Sequence, residues 1–410
     1  MGRMLYPVAI AALCFAGMFG ASNTQAADDI ERGKYLLTAG NCASCHTVDG
    51  GEFMAGGLKF DTPFGVIYST NITPDPDTGI GSWTAEQFLT SMREGVRPDG
   101  QHLYPVFPYT AYTKMTDEDI LAIFSYLQSI TAVRQRTPEN ELSFPFNQRS
   151  LLFMWKALFF DEGPLEADAT QTDEWNRGAY LVEALAHCSV CHTPRNFMGA
   201  EKSSLRMTGG TYNDKVPTGD VRPWAAPNLT SAQSGLGLWP VEEIAAYLQN
   251  GQNRFVTTFG PMNEVILNST RYLDRADVNA MAVYLNSLEA NEQKGGPAPS
   301  AEVMRQGETL YNVHCGTCHL PTGLGGDDSG PQLANGSLVV RASNPASLIN
   351  VILYGPELPD PPLPTERWKP MEPFGDLLSD EELAALATFV RNSWGNSAGA
   401  VNADQVKEHR

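Results

Sequence analysis

Apolar and polar positions follow a pattern along this chain that comes round three times. Each round ends in an amphipathic helix opened by a capping residue and carboxylates: Thr116-Asp117-Glu118-Asp119 into Ile120–Ile130, Asp274–Asp277 into Val278–Leu288, and Ser379-Asp380-Glu381-Glu382 into Leu383–Trp394. A cap followed by acidic residues and an apolar 3-4 spacing predicts a helix start. Each closing helix places an aromatic at a matching point, Tyr126, Tyr284 and Phe389. Each round also opens on a helix-like segment with a glycine in similar position: Arg32-Gly33-Lys34-Tyr35-Leu36, Arg177-Gly178-Ala179-Tyr180-Leu181 and Gln306-Gly307-Glu308-Thr309-Leu310. A glycine on the first helix and an aromatic on the last predict a close crossing and core packing. Between the first two rounds lies an apolar stretch, Leu151–Phe160, which reads as packing between them in preference to a partner or membrane contact.

The N-terminus carries a different pattern. Arg3 precedes the apolar run Leu5–Phe19, then small residues up to Ala26, then Asp28-Asp29. This is the form of a secretory leader, 1–26, cut after Ala26. Roughly 15 apolar residues fall short of the ~20 that span a bilayer, and no other segment is longer.

The chain's 410 residues are enough for two to four domains. Its formal charge is −19, and losing Arg3 with the leader takes it to −20. Nothing here would neutralise phosphates, so nucleic acid is excluded as a partner.

Cysteines narrow the chemistry. Of seven, Cys14 belongs to the leader, and six form the pairs Cys42/Cys45, Cys188/Cys191 and Cys315/Cys318. A histidine follows each pair at once: His46, His192 and His319. C-x-x-C alone could be a redox or zinc site, but C-x-x-C-H is the attachment signature of c-type heme. Two thiols a helical turn apart reach the two vinyl groups of one porphyrin, and the next residue aims its imidazole at the iron. Zinc would want four ligands, and each motif offers three. Three covalently bound heme c groups follow, with His46, His192 and His319 as proximal ligands.

The repeats divide the chain into 27–135, 173–290 and 301–397, with a connector at 136–172, a loop-like linker at 291–300 and a tail at 398–410. The first two share Asn71-Ile72-Thr73 leading to Trp83 and Gly95, against Asn228-Leu229-Thr230 leading to Trp239 and Gly251. A sixth, methionine ligand would stand in the loop before each closing helix. Met371 in Lys369-Pro370-Met371-Glu372-Pro373 and Met262 in Gly260-Pro261-Met262 fit, while Met281 lies inside a helix and reads as core. The first loop, Leu103–Tyr109, has Phe107 where methionine is expected. Met115 is the nearest substitute, with His102, Met92, Met54 or an open position as alternatives. His187 and His314, just before attachment cysteines, read as exposed helix residues. No dinucleotide fingerprint or other substrate-oxidising constellation is present.

With these motifs go Asn71-Ile72-Thr73-Pro74-Asp75, Met115-Thr116-Asp117-Glu118-Asp119, Phe159-Phe160-Asp161-Glu162-Gly163-Pro164 and Trp175–Glu183. Together they resemble the triheme cytochrome c subunits of bacterial periplasmic dehydrogenases, over essentially the whole chain after the leader. The resemblance implies an all-α fold of three tandem class I cytochrome c domains. It implies a dehydrogenase large subunit as partner, with flavin or molybdenum, and quinone, an oxidase or a soluble cytochrome as acceptor. Location would be the periplasm, peripheral to the inner membrane through partners. The chain would be the electron-transfer subunit of an oxidoreductase, not its chemical centre. A free-standing shuttle, or a multiheme enzyme with an open first heme, are the other readings. The family's first loop is similar to Pro-Ala-Met-Pro-Tyr with that methionine on iron, and here Phe107 fills the slot. Several members carry a C-terminal amphipathic anchor; Gly395–Arg410 is small, polar and charged instead.

Overall fold

The opening and closing segments of each round are helical and meet in pairs. The computed structural model describes residues 18–215, 221–359, 362–363 and 368–410, with side chains from Ala27. The expected leader lies outside the described residues, except for the backbone of 18–26. In chain order the main helices are α1 (Met18–Ala39), α2 (Ala85–Glu94), α3 (Asp117–Ser129), α4 (Leu152–Phe159), α5 (Asp173–Tyr180), α6 (Val241–Asn250), α7 (Met262–Asn268), α8 (Arg275–Ser287), α9 (Ala301–His314), α10 (Ala346–Tyr354) and α11 (Asp380–Asn392). The structure is mostly helical, with two small antiparallel sheets that the hydrophobic pattern does not reveal. Strands β1 (Lys59–Thr62), β2 (Gly65–Tyr68) and β3 (Glu141–Leu142) form one in that order, and β4 (Gly210–Lys215) with β5 (Val221–Ala226) the other.

Local chemistry sets the helix starts. Thr116 Oγ1 accepts from the Asp119 amide, and Ser379 and Glu382 form a reciprocal capping box. Asp274 stands at the cap of α8 but makes no side-chain cap bond.

Three crossings organise the chain, α1 on α3, α5 on α8 and α9 on α11. A Cβ on Gly33 would stand 1.9 Å from the Ala122 carbonyl oxygen and 2.9 Å from Tyr126 Cβ. On Gly178 it would stand 1.9 Å from Ala280 O and 2.9 Å from Tyr284 Cβ; on Gly307, 2.2 Å from Ala385 O and 2.6 Å from Phe389 Cβ. No side chain fits there, so glycine is required by contact between two backbones.

The crossings are not equally independent. The first two share one apolar cluster that runs from Leu36 to Leu285, while the third packs around its own, from Tyr311 to Val406. Polar contacts between the first two are reciprocal. Tyr35 Oη on α1 donates to Asp277 on α8 at 2.7 Å, and Tyr180 Oη on α5 donates to Asp119 on α3. Arg177 forks onto Asp277 at 2.6 and 2.8 Å, and Arg32 pairs with Asp119. Each Arg-Gly-x-Tyr segment thus holds the aspartate of its own closing helix with arginine and that of the other with tyrosine.

The Leu151–Phe160 stretch packs between the first two segments as expected, where Trp155 shares a small cluster with Tyr109 and Ala200, but it does so on one side only: Leu152 and Trp155 are buried, while Phe153, Met154 and Leu158 are exposed. One expectation needs correction. Residues 398–410 are docked on the third core. Val406 is fully buried, and the buried Arg391 guanidinium donates to the carbonyls of Val340, Ala342, Ala398 and Gly399.

Gly178→Ala and Gly307→Ala are each expected to cost about 1–3 kcal/mol, because overpacking must push two helices apart. Denaturant midpoints of the loaded protein would show it. Burial pushes the Asp277 carboxyl up, but the bonds from Arg177 and Tyr35 outweigh this and hold it below the usual carboxylate value. Its contribution to stability is therefore full above the unfolded pKa near ~4 and is lost as pH falls through the lower folded value. Asp277→Ala should cost about 2 kcal/mol at pH 7, and the gap from wild type should shrink below about pH 4.

Candidate functional site

Each attachment motif follows directly on the first helix of a crossing, so the crossing fixes where it stands. After α1 the chain turns through Asn41 in the left-handed region (φ 51°) into the single turn Cys42–His46. Ser189–His192 follows the π-helical turn Leu181–Leu185, and Gly316–His319 follows α9. Among the described residues no disulfide joins the six cysteines, and burial pushes Cys42, Cys188 and Cys315 up to about 12, which favours the protonated thiol over the thiolate before any thioether forms.

In two of the three pairs the two thiols differ in burial. The difference is largest in the third motif, where Cys315 is buried in the third core while Cys318 is exposed. Cys315 continues the buried side of α9, on which Gly307 and Tyr311 lie. The single turn that follows carries Thr317 and Cys318 to the outer side before His319 comes back inward. Cys45 of the first motif is exposed in the same way, whereas Cys188 and Cys191 are both half-buried. In the first and third motifs, therefore, the first cysteine stands at the core and the second at the rim.

The three histidines are held alike. His46 Nδ1 lies 2.7 Å from the Thr70 carbonyl oxygen, His192 Nδ1 2.8 Å from that of Pro227, and His319 Nδ1 2.8 Å from that of Pro331. A carbonyl only accepts, so Nδ1 carries the proton and Nε2 keeps its lone pair. Burial lowers the pKa of all three rings, which favours the neutral, ligating form.

The Asn-x-Thr elements build those carbonyls into place. Asn71 Oδ1 accepts from the Thr73 amide and hydroxyl at 2.9 and 2.7 Å, while its Nδ2 donates to the Val133 carbonyl at 2.7 Å. Asn228 does the same, accepting from Thr230 at 2.8 and 2.7 Å and donating to Asn291 at 3.0 Å. In both, the residue just before the asparagine, Thr70 or Pro227, offers its carbonyl to the histidine. A second brace was not foreseen from the motifs. Thr47 and Thr193, one residue beyond the histidines, accept through Oγ1 from the amides of Met54 and Met207 at 3.1 and 3.0 Å. Both methionines have positive φ, 61° and 59°. The signal was a threonine after the histidine in these two copies; the third has Leu320 there, its carbonyl accepting from Tyr311 Oη at 2.7 Å.

Candidate sixth ligands fall into different settings. Met371 is half-buried beside the third core, in a loop tied to α10 by bonds from the Phe374 and Gly375 amides to Ile352 and Leu353. Met262 opens α7 and is half-buried against the shared core. The Gly260 amide and Asn263 Nδ2 beside it both donate to the Glu357 carbonyl, which binds this loop to the third segment. Met281 is core, as expected. Met115, Met92 and Met54 are all buried in the shared cluster that Cys42 and Phe107 also touch. Phe107 packs against Tyr112 with the rings tilted, centroids 5.4 Å apart. His102 turns Nδ1 to the Lys156 ammonium at 3.0 Å. His187 is not an exposed helix residue: it has φ 40°, its Nε2 lies 3.2 Å from the Gly40 carbonyl, and its ring meets Tyr112 edge to face. His314 is half-buried against Phe374.

The first and second motifs are neighbours. Asn268 Nδ2 donates to Ser44 Oγ at 2.9 Å, between Cys42 and Cys45, and Ser269 Oγ to the Ala39 carbonyl. The second and third segments meet through β5, where the Ala225 amide donates to Ser347 Oγ and Arg222 lies 3.5 Å over the Tyr354 ring.

Two thiols, a neutral imidazole with a free Nε2 and an apolar wall suit a porphyrin iron carried on thioethers. A thiolate metal site is a poorer fit, since among the described residues no three His, Cys, Asp or Glu converge on a point. Among the same residues no helix is long and apolar enough to cross a membrane.

Comparison with known proteins bears on the same residues. A family model described as cytochrome c matches residues 30–131, and one described as cytochrome c oxidase, cbb3-type, subunit III matches residues 302–390. A nicotinate dehydrogenase subunit of Pseudomonas putida is 42% identical over 371 residues, covering 88% of this chain but 30% of that protein. The fructose dehydrogenase cytochrome subunit of Gluconobacter japonicus is 38% identical over 414 residues, 93% of this chain and 82% of the relative. The gluconate 2-dehydrogenase cytochrome c subunit of Pantoea cypripedii is 34% identical over 415 residues, with 98% and 93% covered.

Proposed function

The chain belongs to the cytochrome c subunits of bacterial dehydrogenases, and from that premise we propose that it passes electrons from a dehydrogenase large subunit to quinone or another acceptor through three covalently bound hemes. They are carried by three tandem class I cytochrome c domains, 27–135, 173–290 and 301–397, in a protein exported to the periplasm by its 1–26 leader. The observation that carries this reading is the histidine arrangement, found three times with Nδ1 spent on a main-chain carbonyl at 2.7–2.8 Å. Heme supplies a one-electron couple when bound; the chain supplies its attachment, its axial ligands and its spacing. Cys42/Cys45, Cys188/Cys191 and Cys315/Cys318 form the thioethers, and His46, His192 and His319 bind iron through Nε2. Met262 and Met371 complete the second and third sites, and Met115 the first. Thioether sulfur stabilises ferrous iron, so these methionines set potentials and close the sixth position to small molecules. The reciprocal tyrosine–aspartate bonds hold the first two sites in fixed relation, and the Glu357 carbonyl ties the second to the third. A free-standing shuttle is separated from this reading by its partner. Co-purification with a large flavin or molybdenum subunit supports the subunit role, whereas equal reduction by unrelated donors would count against it.

Intact mass of the exported protein should exceed the polypeptide by three hemes, with three irons per chain. Cys188→Ala with Cys191→Ala should leave two, and a wild-type count of two or four ends the three-site reading. Met115→Leu should turn one heme high-spin and lower its potential, with the other two unaffected, since the ligands stand in separate loops. Wild-type protein that binds carbon monoxide rapidly at one heme when reduced would instead assign the first site an open position, with Phe107 beside it.

A further inference from the structure

Met371 stands apart from the other candidate sixth ligands in what holds it. Met262 belongs to helix α7, and Met115 lies directly before the Thr116 cap of α3. Met371 is in neither helix nor strand, and it stands eight positions before the Ser379 cap of α11. Thioether sulfur is uncharged and a weak acceptor, so its place depends on the loop around it. A loop that presents a ligand is held in turn by residues behind it.

The far end of this loop is held from two sides. On one, the Phe374 and Gly375 amides donate to the Ile352 and Leu353 carbonyls of α10, both at 2.9 Å. On the other stands Arg410. Its Nη1 donates to the Gly375 carbonyl and its Nη2 to the Leu378 carbonyl, each at 2.6 Å, while Nε pairs with Asp380 in the first turn of α11. All three guanidinium nitrogens are thus committed to the stretch that runs from Met371 into its closing helix. A planar fork spans two carbonyls and a carboxylate at once, which a lysine ammonium cannot match.

Arg410 is itself fixed. Tyr354 Oη, at the end of α10, donates to the His409 carbonyl at 2.7 Å and lies 3.3 Å from that of Arg410. His409 Nδ1 lies 2.7 Å from Oδ1 of Asn350, which is 1% exposed, and Val406 is fully buried. The residue after Tyr354 reaches the methionine. Gly355 has φ 79°, and a Cβ there would stand 2.8 Å from the Met371 carbonyl oxygen. The end of α10 therefore meets Met371 at one end of the loop and the anchored Arg410 at the other.

We propose that Arg410 is a positioning residue for Met371: its guanidinium closes the loop between α10 and α11 and so keeps the methionine sulfur available to the iron of the third heme. This rests on the reading of Met371 as that heme's sixth ligand. A residue that served only to dock 398–410 would spend its donors within that segment or on solvent. Arg410 spends them on the methionine loop and the start of its helix.

Redox titration and carbon monoxide binding of the full heme-loaded protein test it, with Met371→Leu marking which component belongs to the third heme. Reduced Arg410→Ala should bind carbon monoxide at that heme about tenfold faster, the factor that goes with losing one charge-assisted hydrogen bond. The potential of that heme should fall, because thioether sulfur stabilises ferrous iron, and the other two should keep theirs. Tyr354→Phe frees the 409–410 main chain but leaves the guanidinium. It should shift the same heme the same way by less, and it decides the matter where Arg410→Ala fails to fold. Wild-type behaviour in both variants, with Met371→Leu opening one heme, overturns the proposal and leaves Met371 as the ligand. Changes of equal size at all three hemes overturn it too, since they report general destabilisation. A Met371→Leu protein with three unchanged spectra removes the ligand reading, and the proposal with it.

Discussion

Contact between two helix backbones, with no side chain between them, is the constraint on which the rest of this structure depends. At Gly33, Gly178 and Gly307 a Cβ would stand within 2.2 Å of a carbonyl oxygen on the partner helix. Helices that approach so closely have one relative position, because the aromatic on the closing helix packs directly beside the glycine. The attachment motif begins a few residues beyond the opening helix, so its cysteines and histidine inherit that position. Site geometry is thereby set by an apolar contact some distance from the chemistry.

The first two crossings add a second level of constraint that the third lacks. Their shared core would let two similar units slide over each other, since apolar contact has little directional preference. The tyrosine–aspartate–arginine contacts remove that freedom. Asp277 accepts from Arg177 within its own pair of helices and from Tyr35 across to the other, and its side chain is largely buried. Removing either donor would leave a poorly solvated carboxylate short of partners. One-electron transfer depends on distance between carriers, so a rigid pair of sites is a functional property, obtained here from hydrogen bonds that touch neither site.

Legibility in the sequence followed the nature of the signal. The capped closing helices, the glycines and their aromatic partners could be read because each rests on local spacing, and the backbone crossings bear that reading out. The histidine–carbonyl bonds could be half read. Asn71 and Asn228 were visible as a shared element, but their purpose depends on Thr70 and Pro227, whose contribution is a main-chain oxygen and carries no side-chain signature. The unequal burial of Cys315 and Cys318 was not legible either, because an identical spacing in each motif says nothing of which side of the turn meets the core. The reciprocal use of Tyr35 and Tyr180 was invisible for a different reason. A contact between residues 242 positions apart cannot be inferred from the spacing within either segment. The exposed-helix reading of His187 fails because a left-handed φ at a non-glycine residue is a tertiary outcome. The docked 398–410 segment escaped pattern reading because its anchors are one buried arginine and main-chain carbonyls, not an apolar stripe.

Helix α4 shows where hydrophobic pattern reading stops. Leu151–Phe160 has enough apolar residues to be buried on every side, and periodicity alone cannot say by what. The inner stripe found the body of this chain, helped by Trp155 Nε1 and the Lys156 ammonium, which reaches the Gly95 carbonyl at 3.0 Å. The outer stripe has no such polar atoms to satisfy, so nothing in the chain is drawn to it. Covering it within the fold would require another element with an apolar face, and the neighbouring segment 161–172 is dominated by Asp161, Glu162, Glu166 and Asp168. Those carboxylates keep their hydration at little cost on the surface and would lose it against phenylalanine. The sequence beside α4 therefore leaves the outer stripe uncovered, which makes its exposure a property of the fold.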